Sequence, residues 1–171
     1  MIHKYCIFWF QFFKILESKN KFLIFGMLLE KYIYERSLLH EPNPMFYSSF
    51  IFLTNILIAY KYNYYIYSTL FFALFITSII VHSHDILITN FIDKVSVVSV
   101  TLYGGYMFIS KKPSLIKSIF IISTFLTVIY IYNYGYFTNK YCFHEDKNTR
   151  QLYHPFMHLV SSLGHHLIML A

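Results

Sequence analysis

Residues 62–84 read YNYYIYSTLFFALFITSIIVHSH and hold no Asp, Glu, Lys or Arg across 23 positions. A bilayer core of about 30 Å takes about 20 helical residues at about 1.5 Å each, so this run is long enough to cross. Working outward, Lys61 separates it from a second uncharged run, 42–60. On the other side Asp93 and Lys94 open a third segment that reaches Ser110, where Lys111-Lys112-Pro113 supplies a loop with a helix breaker. Residues 118–139 are uncharged throughout, 140–150 (KYCFHEDKNTR) form the most polar stretch of the chain, and 151–171 are uncharged again. These runs predict an all-α fold, a polytopic transmembrane helix bundle of about five spans, occupying residues 41–171.

Composition points the same way. The 171 residues are 57% apolar and only 13% charged, about half the charge of an ordinary soluble domain, so a water-facing globule would lack polar surface. The net charge of +6 fits either nucleic acid or anionic lipid; the low charge density favours lipid, and no nucleic-acid partner is expected. Cys6 and Cys142 stand far apart without a CxxC pairing, which supports neither a disulfide framework nor a thiolate metal site. Residues 1–40 read differently. Their apolar runs, 5–13 and 22–29, are too short to cross and are divided by Lys14, Glu17, Lys19 and Lys21, a pattern expected of interfacial, amphipathic helix. No small-residue cleavage site follows Phe13, which argues against a signal peptide.

Ionisable groups inside membrane spans are costly and mark function by default. The run 62–84 ends in Ser78, His82 and His84, followed by Asp85; the third segment starts at Asp93; the last begins with Tyr153-His154-Pro155-Phe156-Met157-His158. Ser78 and His82 are four apart, as are His154 and His158, so each pair shares one helix face. A chain that crosses and turns back puts the end of span two, the start of span three and the start of span five on one side of the membrane. His82, Asp93, His154 and His158 are thereby brought to similar depth. Three neutral imidazoles and a water make a common catalytic zinc shell, in which the metal lowers the pKa of its water and polarises a carbonyl. Asp93 then suits the general base, and the Ser78 hydroxyl a donor to the developing oxyanion.

Each residue also has a bland reading. A membrane histidine commonly hydrogen-bonds a neighbouring helix, a serine back-bonds to its own turn or allows close packing, and Asp93 beside Lys94 forms an ordinary interfacial ion pair. His165 and His166, two to three turns beyond the motif, read either as a second ligand site or as groups reaching the opposite headgroups.

The assembled pattern, S-x-x-x-H, an aspartate eleven residues on, and a terminal H-x-x-x-H-L-x-S-x-x-G, resembles the CREST superfamily of membrane hydrolases, which includes the alkaline ceramidases and the myomaker-like proteins. The matching positions are Ser78, His82, Asp93, His154 and His158, with Leu159, Ser162 and Gly164 continuing the last motif. The spacing from Ser78 to Asp93 is most similar to an alkaline ceramidase, and the cluster from His82 to Asp85 to the myomaker-like arm. Thr54-Asn55 is similar to a Ser-Asn of the family's first span. Glu41 and Asn43 resemble part of a ceramidase calcium site, with Leu38 and Leu39 standing where the family has aspartate and tryptophan. Met157 replaces the tryptophan usual before the second histidine. The family has seven spans, whereas about 60 residues separate Asp93 from His154 here, room for one intervening helix in place of three. The resemblance implies zinc-dependent cleavage of an amide (ceramide-like) or ester bond in a lipid, metal ligands His82, His154 and His158, catalytic Asp93 and Ser78, a lipid substrate drawn from the bilayer, and an endomembrane location such as ER or Golgi. The N-terminal segment or further copies in a homo-oligomer would supply the missing walls.

Two other classes compete. One is a catalytically inactive membrane protein that keeps the cluster as interhelical hydrogen bonding or a structural metal site; the other is a haem protein using His82 with His154 or His158, and also His165 or His166. Charge does not orient the chain: Lys61, Lys111, Lys112 and Lys117 on one side nearly balance Lys94, Lys140, Lys147 and Arg150 on the other, and only the cations of residues 1–40 would tip the site towards the cytoplasm.

Overall fold

Apolar sequence with few prolines closes its backbone hydrogen bonds most simply as helix, and all regular structure among the described residues is helical. A computed structural model describes residues 44–83 and 87–171, which lie within the compact unit His40–Ala171. Helix α1 (Pro44–Ser49) opens on a proline, whose missing amide costs nothing at that position. It runs through a turn at Phe50 and Ile51 into α2 (Phe52–Lys61), and Asn63, in the left-handed region at φ 61°, reverses the chain. Helix α3 (Tyr65–Ser83) and α4 (Leu87–Lys111) follow. Lys112, also left-handed, and Pro113 end α4. Helix α5 (Leu115–Ile129) passes through a π turn, Tyr130–Tyr134, into the short α6 (Gly135–Thr138). The left-handed Asn139 then turns the chain, with the Lys140 amide donating to the Gly135 carbonyl at 3.0 Å. A 3-10 turn (Tyr141–Phe143) leads to α7 (Lys147–Met169), whose first turn is capped by the Asp146 carboxylate accepting from the Thr149 amide at 2.8 Å.

Two of these segments, α3 and Leu115–Phe143, are long and apolar enough to cross a membrane. At 19 residues α3 spans about 28 Å. Both present large apolar side chains outward, among them Phe72, Ile76 and Ile80 on α3 and Ile119, Phe120, Phe125 and Leu126 on α5. Helix α4 carries Asp93, Lys94 and Lys111, α7 opens on the polar stretch 147–151, and α2 is only ten residues long, so the described parts of the five runs are mainly helical while two segments meet the length and apolarity of a span by themselves.

The helix boundaries also differ from the charge boundaries. Helix α4 begins six residues before Asp93, and α7 begins four residues before the uncharged run at Gln151. Charged residues do not break a helix; they only stop it from being apolar. Asp93 therefore sits in the second turn of α4 rather than at its start.

Helix α3 packs between α2 and α4, and α7 packs on α1, α2, α4 and α5. Helices α4 and α5 are consecutive, yet α4 lies mainly against α3 and α5 against α7. The buried stripe of α3 is Tyr67, Phe71, Leu74 and Ser78, spaced four, three and four as a helix face requires. On α1 and α2 it is Ser49, Phe52, Asn55 and Ala59. Many contact positions are small: Ser49, Ala59, Ser68, Ser78, Gly104, Ser162 and Gly164 are all buried. Such residues let helices approach closely where apolar burial alone gives little drive. At one end of the unit the Lys111 ammonium lies over the Tyr64 ring at 4.6 Å and donates to the carbonyls of Ile168 and Met169, capping α7. The opposite end carries the histidines.

Candidate metal centre

His82 lies in the last turn of α3, and His154 and His158 lie one turn apart on α7. The His82 ring is 4.8 Å from that of His154 and 5.6 Å from that of His158, centre to centre, and the two α7 rings are 4.8 Å apart. One ring nitrogen from each residue can be chosen so that all three lie within 4.8 Å of one another. Three nitrogens bound tetrahedrally at about 2.0–2.1 Å would stand about 3.3 Å apart, so side-chain adjustments of up to about 1.5 Å would complete a shell. The donor set, three imidazoles with no thiolate, suits a borderline transition-metal cation, zinc, copper, iron and nickel alike.

The surroundings separate these histidines from the others in the bundle. His165 Nδ1 is hydrogen-bonded to the Tyr67 hydroxyl, and His166 Nε2 lies 3.1 Å from Thr54 Oγ1. Both residues are thus tied to neighbouring helices rather than paired as a second ligand site. Gly104 makes space for the first of these bonds, since a Cβ there would fall 2.7 Å from the Tyr67 hydroxyl and 2.8 Å from the His165 ring. Asn55, buried, donates to the Ser162 carbonyl at 3.3 Å and accepts from the Ser162 hydroxyl. Those are the bland roles that helix packing in a membrane predicts. Among the described residues, by contrast, no hydrogen bond engages a ring nitrogen of His82 or His154.

Ser78, buried one turn before His82, shares a hydrogen bond with Ser49 at 3.1 Å, and Ser49 also donates to the Met45 carbonyl at 3.1 Å. Asp93 is also buried, with one carboxylate oxygen accepting from Thr77 at 3.3 Å and the other 3.3 Å from the half-exposed Lys94 ammonium. The ion pair named as its ordinary reading is therefore present. Thr77 is adjacent to Ser78 in sequence but points about 100° away from it round the helix, so this bond sets Asp93 beside α3 without placing it at the three histidines. Glu41 and Asn43, the calcium-site resemblance, lie outside the described residues, as do His84 and Asp85.

Two contributors escaped the sequence reading. Ser48 Oγ stands 2.8 Å from His158 Nδ1, and Ser49 holds Ser78. The available signal was the spacing Ser48, Phe52, Asn55, Ala59, which continues the α2 packing face back into α1; the turn between the two helices hid it. Phe52 in turn sets its ring 5.0 Å from that of His158.

The later residues of the terminal motif have packing roles. Gly164 faces Thr124 of α5, where a Cβ would meet Oγ1 at 2.4 Å, and Leu159 points outward. Comparison of the chain with family models, curated proteins and solved structures returns no match.

Proposed function

We propose that this protein is a membrane-embedded, zinc-dependent hydrolase that cleaves an amide or ester bond in a lipid, of the CREST type its motifs resemble, with its five helical segments crossing the bilayer. The observation that carries the reading is the convergence of His82, His154 and His158, from two helices far apart in sequence, on one point. Zinc held there would supply an acidified water and a polarised carbonyl. His82, His154 and His158 would hold the metal. Asp93 takes a proton from the attacking water and returns it to the leaving amine or alcohol. Ser49 stands 3.1 Å from both the Met45 carbonyl and Ser78; the carbonyl can only accept and takes the Ser49 hydrogen, so Ser78 donates to Ser49 and would give up that bond to donate to the oxygen that gains charge at the carbonyl. The outward apolar faces of α3 and α5 support a long-chain substrate that would reach the protein from the bilayer.

A second reading, an inactive protein that keeps the cluster structurally, draws support from Asp93, both of whose carboxylate oxygens are already engaged by Thr77 and Lys94. The full chain in lipid nanodiscs separates the two, with metal measured by mass spectrometry and hydrolysis by chromatography of a panel of N-acyl and O-acyl lipids. The hydrolase carries about one zinc per chain and releases fatty acid. Asp93→Ala keeps the zinc and loses hydrolysis, and His82→Ala loses both. Zinc without turnover on any lipid in the panel favours the inactive protein, and equal turnover in wild type and His82→Ala excludes the proposed centre.

A further inference from the structure

Ser48 carries one hydroxyl hydrogen and sits between two partners at equal distance, the Met45 carbonyl at 2.8 Å and His158 Nδ1 at 2.8 Å. The carbonyl can only accept, so it takes the hydroxyl hydrogen. The bond to the ring must then run the other way, with Nδ1–H donating to the serine oxygen. A neutral imidazole has one N–H, so Nε2 is left with its lone pair.

From this count of hydrogens we infer that Ser48 is a positioning residue that fixes His158 in the Nδ1–H tautomer and turns Nε2 into the nitrogen offered to the metal. The inference rests on the metal-centre reading for its purpose, though the tautomer itself exists without metal. Ligating histidines depend on such a partner at the other ring nitrogen to set ring orientation and basicity, and its loss typically costs 10–100-fold in metal affinity. The placement of Ser48 is built into the fold. Helix α1 packs against both α3 and α7, its next residue, Ser49, is fully buried against Ser78, and the Phe52 ring bounds the same imidazole from one turn further on. One six-residue helix thus holds a zinc-ligand candidate through Ser48 and the oxyanion candidate through Ser49.

The test uses the full chain labelled with ¹⁵N-histidine in detergent micelles at pH 8, free of metal, with His158→Ala providing the assignment. Long-range ¹H–¹⁵N correlation reads which ring nitrogen carries hydrogen. Wild type shows His158 protonated at Nδ1; Ser48→Ala shows a mixture or the Nε2–H form; Ser48→Thr, which retains the hydroxyl, restores the wild-type pattern. In parallel, zinc affinity from chelator competition falls 10–100-fold in Ser48→Ala and recovers in Ser48→Thr, while far-UV circular dichroism stays the same in all three. An Nε2–H form in wild type, or an unchanged tautomer in Ser48→Ala, overturns the inference. So does zinc binding equal to wild type in Ser48→Ala. If wild type binds no zinc, the metal-centre reading falls, and the tautomer comparison still decides the role of Ser48.

Discussion

Replacing Gly164 by alanine tests whether the seat of α7 on α5 sets the histidine geometry. A Cβ at residue 164 would lie 2.4 Å from Thr124 Oγ1 and 3.2 Å from Thr124 Cβ. Ordinary contact begins near 3.4 Å, so either the two helices separate by about 1 Å or Thr124 rotates and gives up its 2.7 Å bond to the Ile121 carbonyl. Overpacking of this kind costs about 1–3 kcal/mol. Thr124→Ala removes the oxygen and leaves only the 3.2 Å contact, tight by a few tenths of an ångström. Gly164→Ala alone is therefore expected to destabilise by about 2 kcal/mol, with the double variant recovering about 1 kcal/mol or more as a coupling between touching residues. The assay is equilibrium unfolding in mixed dodecylmaltoside and SDS micelles, followed by circular dichroism. His158 precedes Gly164 by six residues on the same helix, so a shift of about 1 Å at this contact also moves the ring, and zinc affinity should fall and recover in step with stability. Strict additivity, or a Gly164→Ala protein as stable as wild type, would refute the reasoning.

Tyr67→Phe removes the hydroxyl that engages His165 and is expected to cost about 1 kcal/mol in the same unfolding assay, with zinc content unchanged, because residues 67 and 82 are about 22 Å apart along α3. The Asp146 carboxyl is held below its ordinary range by the Thr149 hydroxyl and then the Thr149 amide. Its contribution to the start of α7 is therefore present above about pH 4 and fades as pH falls through the folded value. Thr149→Val should bring the carboxyl titration, followed by ¹³C NMR, back up towards that ordinary value. For membrane topology, single cysteines introduced at Lys61 and Lys112 in a Cys6→Ser, Cys142→Ser background should be labelled by an impermeant maleimide from one side of sealed vesicles, and cysteines at Glu145 and Asp146 from the other; labelling of all four from one side would remove the five-span arrangement.

How much of this was legible in the sequence follows from which interactions are local. Spacing alone placed His154 and His158 on one face, and reversal of the chain at each turn put His82 level with them; neither step needed a side-chain contact. Helix ends were less legible, because the reading used charge as a boundary. Asp93 and Lys147 lie inside helices that begin earlier than, or at, the charged residue itself. The serines of α1 were illegible for a different reason. Ser48 and His158 are 110 residues apart, and a serine looks the same in a sequence whether it back-bonds to its own turn or reaches another helix. Ser48 does both, which is the arrangement that fixes the direction of the bond.

The polar face of α7 shows why the cluster reads as a site rather than as packing. His158, Ser162, His165 and His166 all point into the bundle or along its surface, and each meets a hydrogen-bonding partner from another helix: Ser48, Asn55, Tyr67 and Thr54. A membrane helix that needed polar contacts only for association would end there, since each such bond contributes on the order of 0.6 kcal/mol and is complete once paired. His154 breaks the pattern. It faces His82, another imidazole, and neutral rings each carry one N–H and one lone pair. Two such rings could hydrogen-bond to one another, yet they stand edge to face, at 86°, with no ring-to-ring hydrogen bond. Adding His158 gives three lone pairs and no acidic group between them, an arrangement that gains most from a shared cation and least from a shared proton. Among the described residues these three rings are the group that could hold a cation together, and the zinc measurement proposed above decides between that use and helix packing.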